Sequence, residues 1–263
     1  MLGALFRGAV AFLIGIVKLP LLPLHLIRRF WLQTSPGVTP QPLLQDSETL
    51  SPSDDADKTF VEIKAIVYGS CPTDPDNDDR FGPHQRRLEL TLRPALPASA
   101  KTKEEKIKWL DRFFWRISRD MKHNRDWYCE FCTDEAHEIV KMNATWVRLT
   151  PPMAKSYIHN VCDAETGTCA EYLRIMDKEM ARMSGHPPTL APTKTKFRKE
   201  SKIPPTSGTC AFCRNPDEES RARLTACPKC NLTRYCSPAC RRLDKSRHKM
   251  CCEAVKEVKW HWP

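Results

Sequence analysis

A cysteine-rich stretch near the end of the chain has the residue types and spacing of metal ligands. Residues 210–252 contain two C-x2-C pairs, one C-x3-C pair, a histidine and a final Cys-Cys pair. Thiolate and imidazole groups in sets of four suit tetrahedral Zn²⁺, and this stretch supplies two complete sets. The sequence therefore predicts two zinc ions, with ligands drawn from Cys210, Cys213, Cys227, Cys230, Cys236, Cys240, His248 and one of Cys251 and Cys252.

A second group of cysteines lies in the middle of the chain. Cys129 and Cys132 have the C-x2-C spacing of a zinc knuckle, and Cys162 and Cys169 follow where a helix is predicted to begin. A knuckle, a hairpin and a cysteine pair at a helix start are the parts of treble-clef zinc sites, so these four residues are the candidate ligands of a third zinc ion. The residues that could replace one of them are His137 and His159. The alternative is that Cys162 and Cys169 are ordinary buried thiols, because free cysteine is among the most buried residue types.

Periodic segments precede and surround the second cysteine group. Residues 60–68 and 87–92 alternate apolar and polar side chains, which predicts an antiparallel pair of strands. Residues 103–122 repeat large apolar side chains at three- and four-residue steps, which predicts a helix with a buried aromatic stripe. A short strand is predicted at residues 146–149.

An amphipathic helix is predicted at residues 168–183, with Thr168 as its N-terminal cap. Together these elements predict a small α+β fold with a treble-clef-like zinc site, joined to a second zinc-stabilised unit by long disordered linkers. Twenty-two prolines against nine glycines agree with long irregular connections.

Composition divides the chain into five predicted parts. Residues 1–33 are an apolar N-terminal segment, and residues 34–58 are rich in Pro, Ser, Thr and Asp, which predicts a disordered linker. Residues 59–184 form the predicted α+β module. Residues 185–208 are a basic, proline-rich linker, and residues 209–258 are the zinc finger.

The N-terminal apolar segment is a candidate membrane anchor. Residues 8–27 are long enough to cross a bilayer, but Lys18, Pro20 and Pro23 interrupt them, so a buried apolar helix is the alternative. Arg28 follows the segment, and the positive-inside rule then leaves the larger C-terminal part in the cytoplasm. Zinc thiolates need a reducing compartment, so the protein is expected inside the cell, in cytoplasm or nucleus, attached to a membrane by its N-terminus.

The spacing of residues 210–252 resembles that of the MYND-type zinc finger, whose motif runs C-x2-C, C-x2-C, Y-C-x3-C and H-K-x2-C. Every ligand position is filled in this sequence, and the H-K-x2-C spacing selects Cys252. The family's cross-brace implies one zinc held by Cys210, Cys213, Cys236 and Cys240. It implies a second held by Cys227, Cys230, His248 and Cys252.

The resemblance also implies a protein-interaction module. Some family members take P-x-L-x-P peptides in a groove bordered by Gln and Trp. This sequence departs from that pattern, because Arg241 and Lys245 stand at those two positions. The departure argues against that ligand here.

The leading functional hypothesis is a non-enzymatic, membrane-tethered adaptor that binds another protein through the finger. Four protein ligands on each zinc leave no open position for substrate, and no small-molecule substrate is predicted. Two alternatives stay open. One is a methyltransferase-associated protein, because MYND fingers also occur beside SET domains. The other is nucleic-acid binding by a basic helix that contains Arg241, Arg242, Lys245, Arg247 and Lys249.

Overall fold

The structure of the protein, a computed structural model, describes residues 59–75, 80–185, 187–190, 205–215 and 217–262. The predicted membrane segment, residues 8–27, and the predicted disordered linker, residues 34–58, lie outside these residues. Most of the predicted basic linker, residues 185–208, does so too. None of the described helices is both long enough and apolar enough to cross a bilayer. All described residues fall within one of two compact units, Val38–Pro263.

The described residues mix helices and strands, which confirms the predicted α+β class. In chain order the elements are β1 Glu62–Tyr68, β2 Arg87–Leu92, α1 Lys103–Lys122, β3 Glu138–Trp146, β4 Met153–Val161, α2 Gly167–Ser184, α3 Glu218–Ala222, β5 Thr225–Ala226, β6 Arg234–Tyr235, α4 Pro238–Leu243, α5 Lys245–Ala254 and β7 Val255–His261.

Five of the strands form one mixed sheet in the order β3-β4-β1-β2-β7. Strand β1 pairs antiparallel with β2 and parallel with β4, while β3 and β7 are antiparallel to their neighbours. Alternate residues of β1 and β2 are buried, because successive side chains of a strand point to opposite faces. Strands β5 and β6 form a separate two-stranded ribbon within the cysteine-rich stretch.

Helix α1 occupies the predicted residues and begins with a capping box. The Thr102 Oγ1 accepts from the Glu105 amide at 3.2 Å, and the Glu105 carboxylate accepts from the Thr102 amide at 2.9 Å. Both bonds satisfy amides that the first turn of a helix leaves unpaired. The apolar stripe that includes Phe113, Phe114 and Ile117 is buried, as predicted.

Three details of the predicted elements differ from the sequence-based expectations, and strand β4, Met153–Val161, was not predicted. Residues 147–150 form a turn rather than a strand, because strand β3 ends at Trp146 and the Leu149 amide donates to the Trp146 carbonyl. Helix α2 begins one residue earlier than predicted, with Thr166 rather than Thr168 at its N-cap position. The Thr166 hydroxyl donates to Asp163, so the helix has no side-chain cap bond.

Strand β7 was not predicted, and it joins the cysteine-rich stretch to the main sheet. Helix α5 runs directly into β7, which pairs antiparallel with β2 and places Trp260 against the buried Trp127. Buried residues of the stretch, including Leu232 and Tyr235, belong to the same hydrophobic core as α1 and the sheet. The predicted domain boundaries stay a prediction, but the regions on either side of them share one core.

Candidate metal centres

The first cluster in the cysteine-rich stretch contains Cys210, Cys213, Cys236 and Cys240, whose ligand atoms all lie within 4.8 Å of one another. The first two lie in a turn, Cys236 follows β6, and Cys240 lies in α4. Ser237 begins α4, and its hydroxyl accepts from the Cys240 amide at 3.2 Å. This N-cap fixes where the helix starts and so places the Cys240 thiol beside that of Cys236, with the sulfurs 3.6 Å apart.

The second cluster contains Cys227, Cys230, His248 and Cys252, and all four are buried. The two cysteines of the knuckle follow β5. His248 and Cys252 lie four residues apart on α5, so they face the same side of the helix. The Cys227 and Cys252 sulfurs are 3.9 Å apart, and the Cys230 sulfur lies 3.5 Å from His248 Nε2. Of the final pair, Cys252 belongs to the cluster and Cys251 does not.

The third cluster contains Cys129, Cys132, Cys162 and Cys169, again with all four sulfurs within 4.8 Å of one another. The knuckle precedes β3, Cys162 directly follows β4, and Cys169 lies in the first turn of α2. The Cys132 and Cys162 sulfurs are 3.6 Å apart. The structure therefore brings together the four cysteines that the sequence analysis grouped.

The distances within the clusters have the size expected of a zinc tetrahedron. Two thiolates that each lie about 2.3 Å from one zinc are about 3.8 Å apart, and a thiolate and an imidazole nitrogen are about 3.6 Å apart. The observed sulfur–sulfur distances of 3.6 to 3.9 Å and the sulfur–nitrogen distance of 3.5 Å agree with both values. They are far longer than a disulfide bond, and all thirteen cysteines are free thiols. The three clusters could each hold a metal ion.

The three C-x2-C knuckles share one backbone geometry. The residue after each second cysteine, namely Thr133, Arg214 or Asn231, has a left-handed φ of 63°, 55° or 55°. The amide of that residue donates to the carbonyl of the first cysteine at 2.8 to 3.1 Å. The Cys129–Cys132 knuckle is thus built like the two knuckles of the cysteine-rich stretch.

The ring of His248 is positioned by groups outside its cluster. Thr233 Oγ1 lies 3.2 Å from His248 Nδ1, and the buried Asp120 carboxylate lies 3.9 Å from the same nitrogen. Burial acts to raise the pKa of Asp120, but interactions with His248 and Arg247 lower it below its ordinary value. A carboxylate behind a ligand histidine fixes the ring's orientation and increases its basicity.

Arg247 joins the same carboxylate to the cysteine-rich stretch. Its guanidinium donates to both oxygens of Asp120, at 2.8 and 3.2 Å, and also to Asp244. The Tyr235 hydroxyl donates to Asp244 at 2.9 Å. The network therefore connects helix α1 with the helices that carry Cys240, His248 and Cys252.

His159 is not part of the third cluster. Its ring is fully buried, and its Nδ1 lies 2.7 Å from Glu130 Oε2. The other oxygen of Glu130 accepts from the side-chain Nε2 of Gln85 at 2.8 Å. The cluster also contains no position for His137, so neither histidine replaces a cysteine.

The sequence did not predict the supporting groups Asp120, Glu130, Asp244 and Arg247. Asp120 offered one signal, because an acidic residue interrupts the apolar stripe of α1 at a buried position. A buried carboxylate needs a partner, and such an interruption therefore indicates a charged neighbour from elsewhere in the chain. Glu130 stands between the two knuckle cysteines, and no sequence pattern there indicates a buried acidic residue.

Residues 210–252 match the family model of the MYND finger, and the rest of the chain matches no family model. The chain matches no curated protein and no solved structure. The MYND finger is a zinc-binding module for protein–protein interaction and is not itself catalytic. The resemblance seen in the spacing is thus confirmed, and residues 210–252 of this chain belong to the MYND finger family.

Proposed function

We propose that the protein is a zinc-stabilised adaptor, not an enzyme, that binds another protein through the outer face of its finger. The proposal takes each of the three clusters as a structural zinc site with four protein ligands. Two of the ions would be held in the cross-brace of the finger. The third would be held in a treble-clef-like site by Cys129, Cys132, Cys162 and Cys169.

The chemistry of the ligand sets supports a structural role for the metal. Four protein ligands close the tetrahedron, so no position is left for water or substrate. Zinc bound in this way would fix the relative positions of the helices and strands that carry the ligands. The buried residues of the stretch 210–252 pack into the shared core, and metal binding would add to the free energy that folds this stretch.

The exposed face of helices α4 and α5 is the observation that carries the proposal. Arg241, Arg242 and Lys245 are exposed there, and Leu243 among them is 64% exposed. The opposite side of the finger packs against α1 and the main sheet through the shared core. An outer face that is basic, with one exposed apolar side chain, fits an acidic protein partner that also offers an apolar contact.

Reduced thiolates at all three clusters support a location in the cytoplasm or nucleus. The predicted membrane tether at residues 8–27 lies outside the described residues and stays a prediction. The same holds for the predicted linkers and for the boundaries of the two predicted domains, residues 59–184 and 209–258.

Capture by the zinc-loaded full-length protein tests the proposal. The variant Arg241→Glu/Lys245→Glu reverses two exposed charges four residues apart. The matched control, Lys108→Glu/Arg112→Glu, does the same on the exposed side of α1. Both variants should keep the wild-type zinc content. Quantitative mass spectrometry should identify proteins that the wild type and the control capture and that the finger variant loses.

Equal capture by all three proteins would exclude the α4–α5 face as the binding surface. Capture that disappears after nuclease treatment would favour the nucleic-acid hypothesis instead. Transfer of label from S-adenosylmethionine to a protein mixture would contradict the non-enzymatic assignment.

A further inference from the structure

A cavity of about 330 Å³ lies where the end of α1, the finger and the end of β7 meet. Its lining includes Asn124 and Arg125 after α1, Arg221 and Arg234 from the finger, and Trp262 after β7. None of the twelve clustered metal ligands lines it. The cavity is therefore separate from the three metal centres, and it lies on a different part of the finger from the exposed α4–α5 face.

The cavity carries an excess of positive charge. Three arginines line it, and Asp126 is the acidic residue among the lining side chains. That carboxylate is already engaged, because its Oδ1 accepts from Arg221 at 2.6 Å and from the Gly208 amide at 2.9 Å. Within the described residues, Arg125 and Arg234 have no ion pair with an acidic side chain.

Among the described residues, Arg125 contacts two aromatic rings and has no side-chain hydrogen bond. Its guanidinium carbon lies 3.7 Å from the centre of the Trp262 ring and 5.2 Å from that of Trp260. Burial lowers the pKa of Arg125 to about 10, and repulsion from Arg234 and Arg86 acts in the same direction. The Asp126 carboxylate offsets part of this effect, but it is already paired with Arg221, and a bound anion would provide a further counter-charge for a half-buried cation.

Asn124 adds a second, independent observation. Its side chain is 1% exposed, and neither Oδ1 nor Nδ2 has a hydrogen-bond partner among the described residues. A buried amide without partners costs free energy, so native structures rarely leave one unsatisfied. A ligand in the adjoining cavity would give the amide nitrogen an acceptor.

We infer that this cavity binds a phosphate group through the guanidinium groups of Arg125 and Arg234 and the amide of Asn124. Guanidinium groups bind such anions through paired, charge-assisted hydrogen bonds. The ring of Trp262 keeps the Arg125 guanidinium ordered before the anion arrives, which reduces the entropy lost on binding. The anion could be free in solution or be carried by a phosphorylated side chain of another protein.

Calorimetric titration of the zinc-loaded full-length protein tests this site. The titrants are inorganic phosphate and a capped phosphoserine, N-acetyl-phosphoserine-N-methylamide, with chloride keeping the ionic strength constant. The wild type should bind phosphate saturably with one site per chain. The variants Arg125→Gln and Arg234→Gln should each bind about tenfold more weakly or worse, because each loses charge-assisted hydrogen bonds to the anion.

The control is Arg112→Gln, which removes an exposed arginine from α1 and should bind phosphate like the wild type. Arg125 also packs on Trp262, so the Arg234→Gln variant decides the result if Arg125→Gln does not fold. Zinc content checks the fold of each variant. Tighter binding of capped phosphoserine than of phosphate would indicate an anion carried by a protein, and equal binding would indicate a free anion.

Two results would overturn the inference. One is the absence of saturable phosphate binding by the wild type. The other is an Arg234→Gln variant that binds as well as the Arg112→Gln control. Because the titrants are small anions and no residue of the α4–α5 face takes part, the test can fail or succeed independently of the proposed adaptor function.

Discussion

Arg247 of the finger and Asp120 of helix α1 form a bidentate ion pair, with nitrogen–oxygen distances of 2.8 and 3.2 Å. The Asp120 side chain is fully buried, and the Arg247 side chain is 26% exposed. The same carboxylate faces the ring of His248. The buried Asp120 carboxylate therefore contacts two residues of the finger, Arg247 and His248, and His248 is a member of the second metal cluster.

Replacing Asp120 with Asn should lower the free energy of unfolding by about 1–3 kcal/mol. The substitution keeps the shape of the side chain but removes the charge that neutralises Arg247 in a buried setting. The loss is limited because Arg247 keeps its bonds to Asp244. Urea unfolding of the zinc-loaded protein measures the change.

The matched control is Asp111→Asn, which removes an exposed carboxylate from the same helix and should change stability by less than about 0.5 kcal/mol. The Asp120 variant should also release zinc faster to a chromogenic chelator, because His248 loses the buried negative charge that faces its ring. Equal unfolding and equal zinc release in the two variants would show that the buried pair stabilises neither the docking nor the metal site.

The predictions that the structure confirms rest on local sequence patterns. The aromatic stripe of α1 repeats at helical steps, and the alternation in β1 and β2 is local too, so each could be recognised without knowing its neighbours. The spacing of the knuckles is also local. The grouping of Cys162 and Cys169 with the Cys129–Cys132 knuckle followed from the expected treble-clef arrangement rather than from spacing alone.

The features that were missed depend on contacts between distant parts of the chain. Strand β7 forms only because β2, far upstream, provides its partner, and its sequence has too little regular alternation to indicate a strand alone. The Asp120–Arg247 pair joins residues 127 positions apart. The cavity near Arg125 likewise forms from segments separated in sequence, and no single motif marks it.

Native mass spectrometry should find three zinc ions per chain. A Cys132→Ser/Cys162→Ser variant should hold two, because it removes half of the third ligand set. The control, Cys71→Ser, removes a cysteine that lies outside all three clusters and should leave three ions in place. Two ions in the wild type would reduce the third cluster to a group of packed thiols.

Replacing Thr133 with Gly should stabilise the Cys129–Cys132 knuckle. Thr133 has a φ of 63°, and a β-branched residue is strained in this left-handed conformation. Glycine adopts it without that strain, so the free energy of unfolding should rise by about 0.5–1 kcal/mol after the larger chain entropy of glycine is subtracted.

Asn231→Gly is the matched comparison for this change. Asn231 holds the equivalent position in the finger with a φ of 55°, and asparagine already tolerates that conformation. Its replacement should change stability by less than about 0.5 kcal/mol, because neither residue is strained there. A Thr133→Gly variant that is less stable than the wild type would mean that the threonine side chain makes contacts worth more than the backbone strain.

The neighbouring residues Cys251 and Cys252 allow the coupling between metal and sheet to be tested. Both are buried, but only Cys252 belongs to a cluster within the described residues. Cys252→Ser should lose the second zinc ion of the finger, whereas Cys251→Ser should keep it. Helix α5 continues directly into β7, so loss of that ion should also release β7 from β2.

Hydrogen exchange measures this release at the β7 amides that pair with β2, including those of Glu257 and Lys259. In Cys252→Ser these amides should exchange as fast as exposed ones, while those of β1 and β4 stay protected because their mutual pairing does not involve the finger. In Cys251→Ser all of these strands should stay protected. If β7 stays equally protected in both variants, its pairing with β2 and the stacking of Trp260 on Trp127 hold the strand without the metal, and zinc then governs the finger alone.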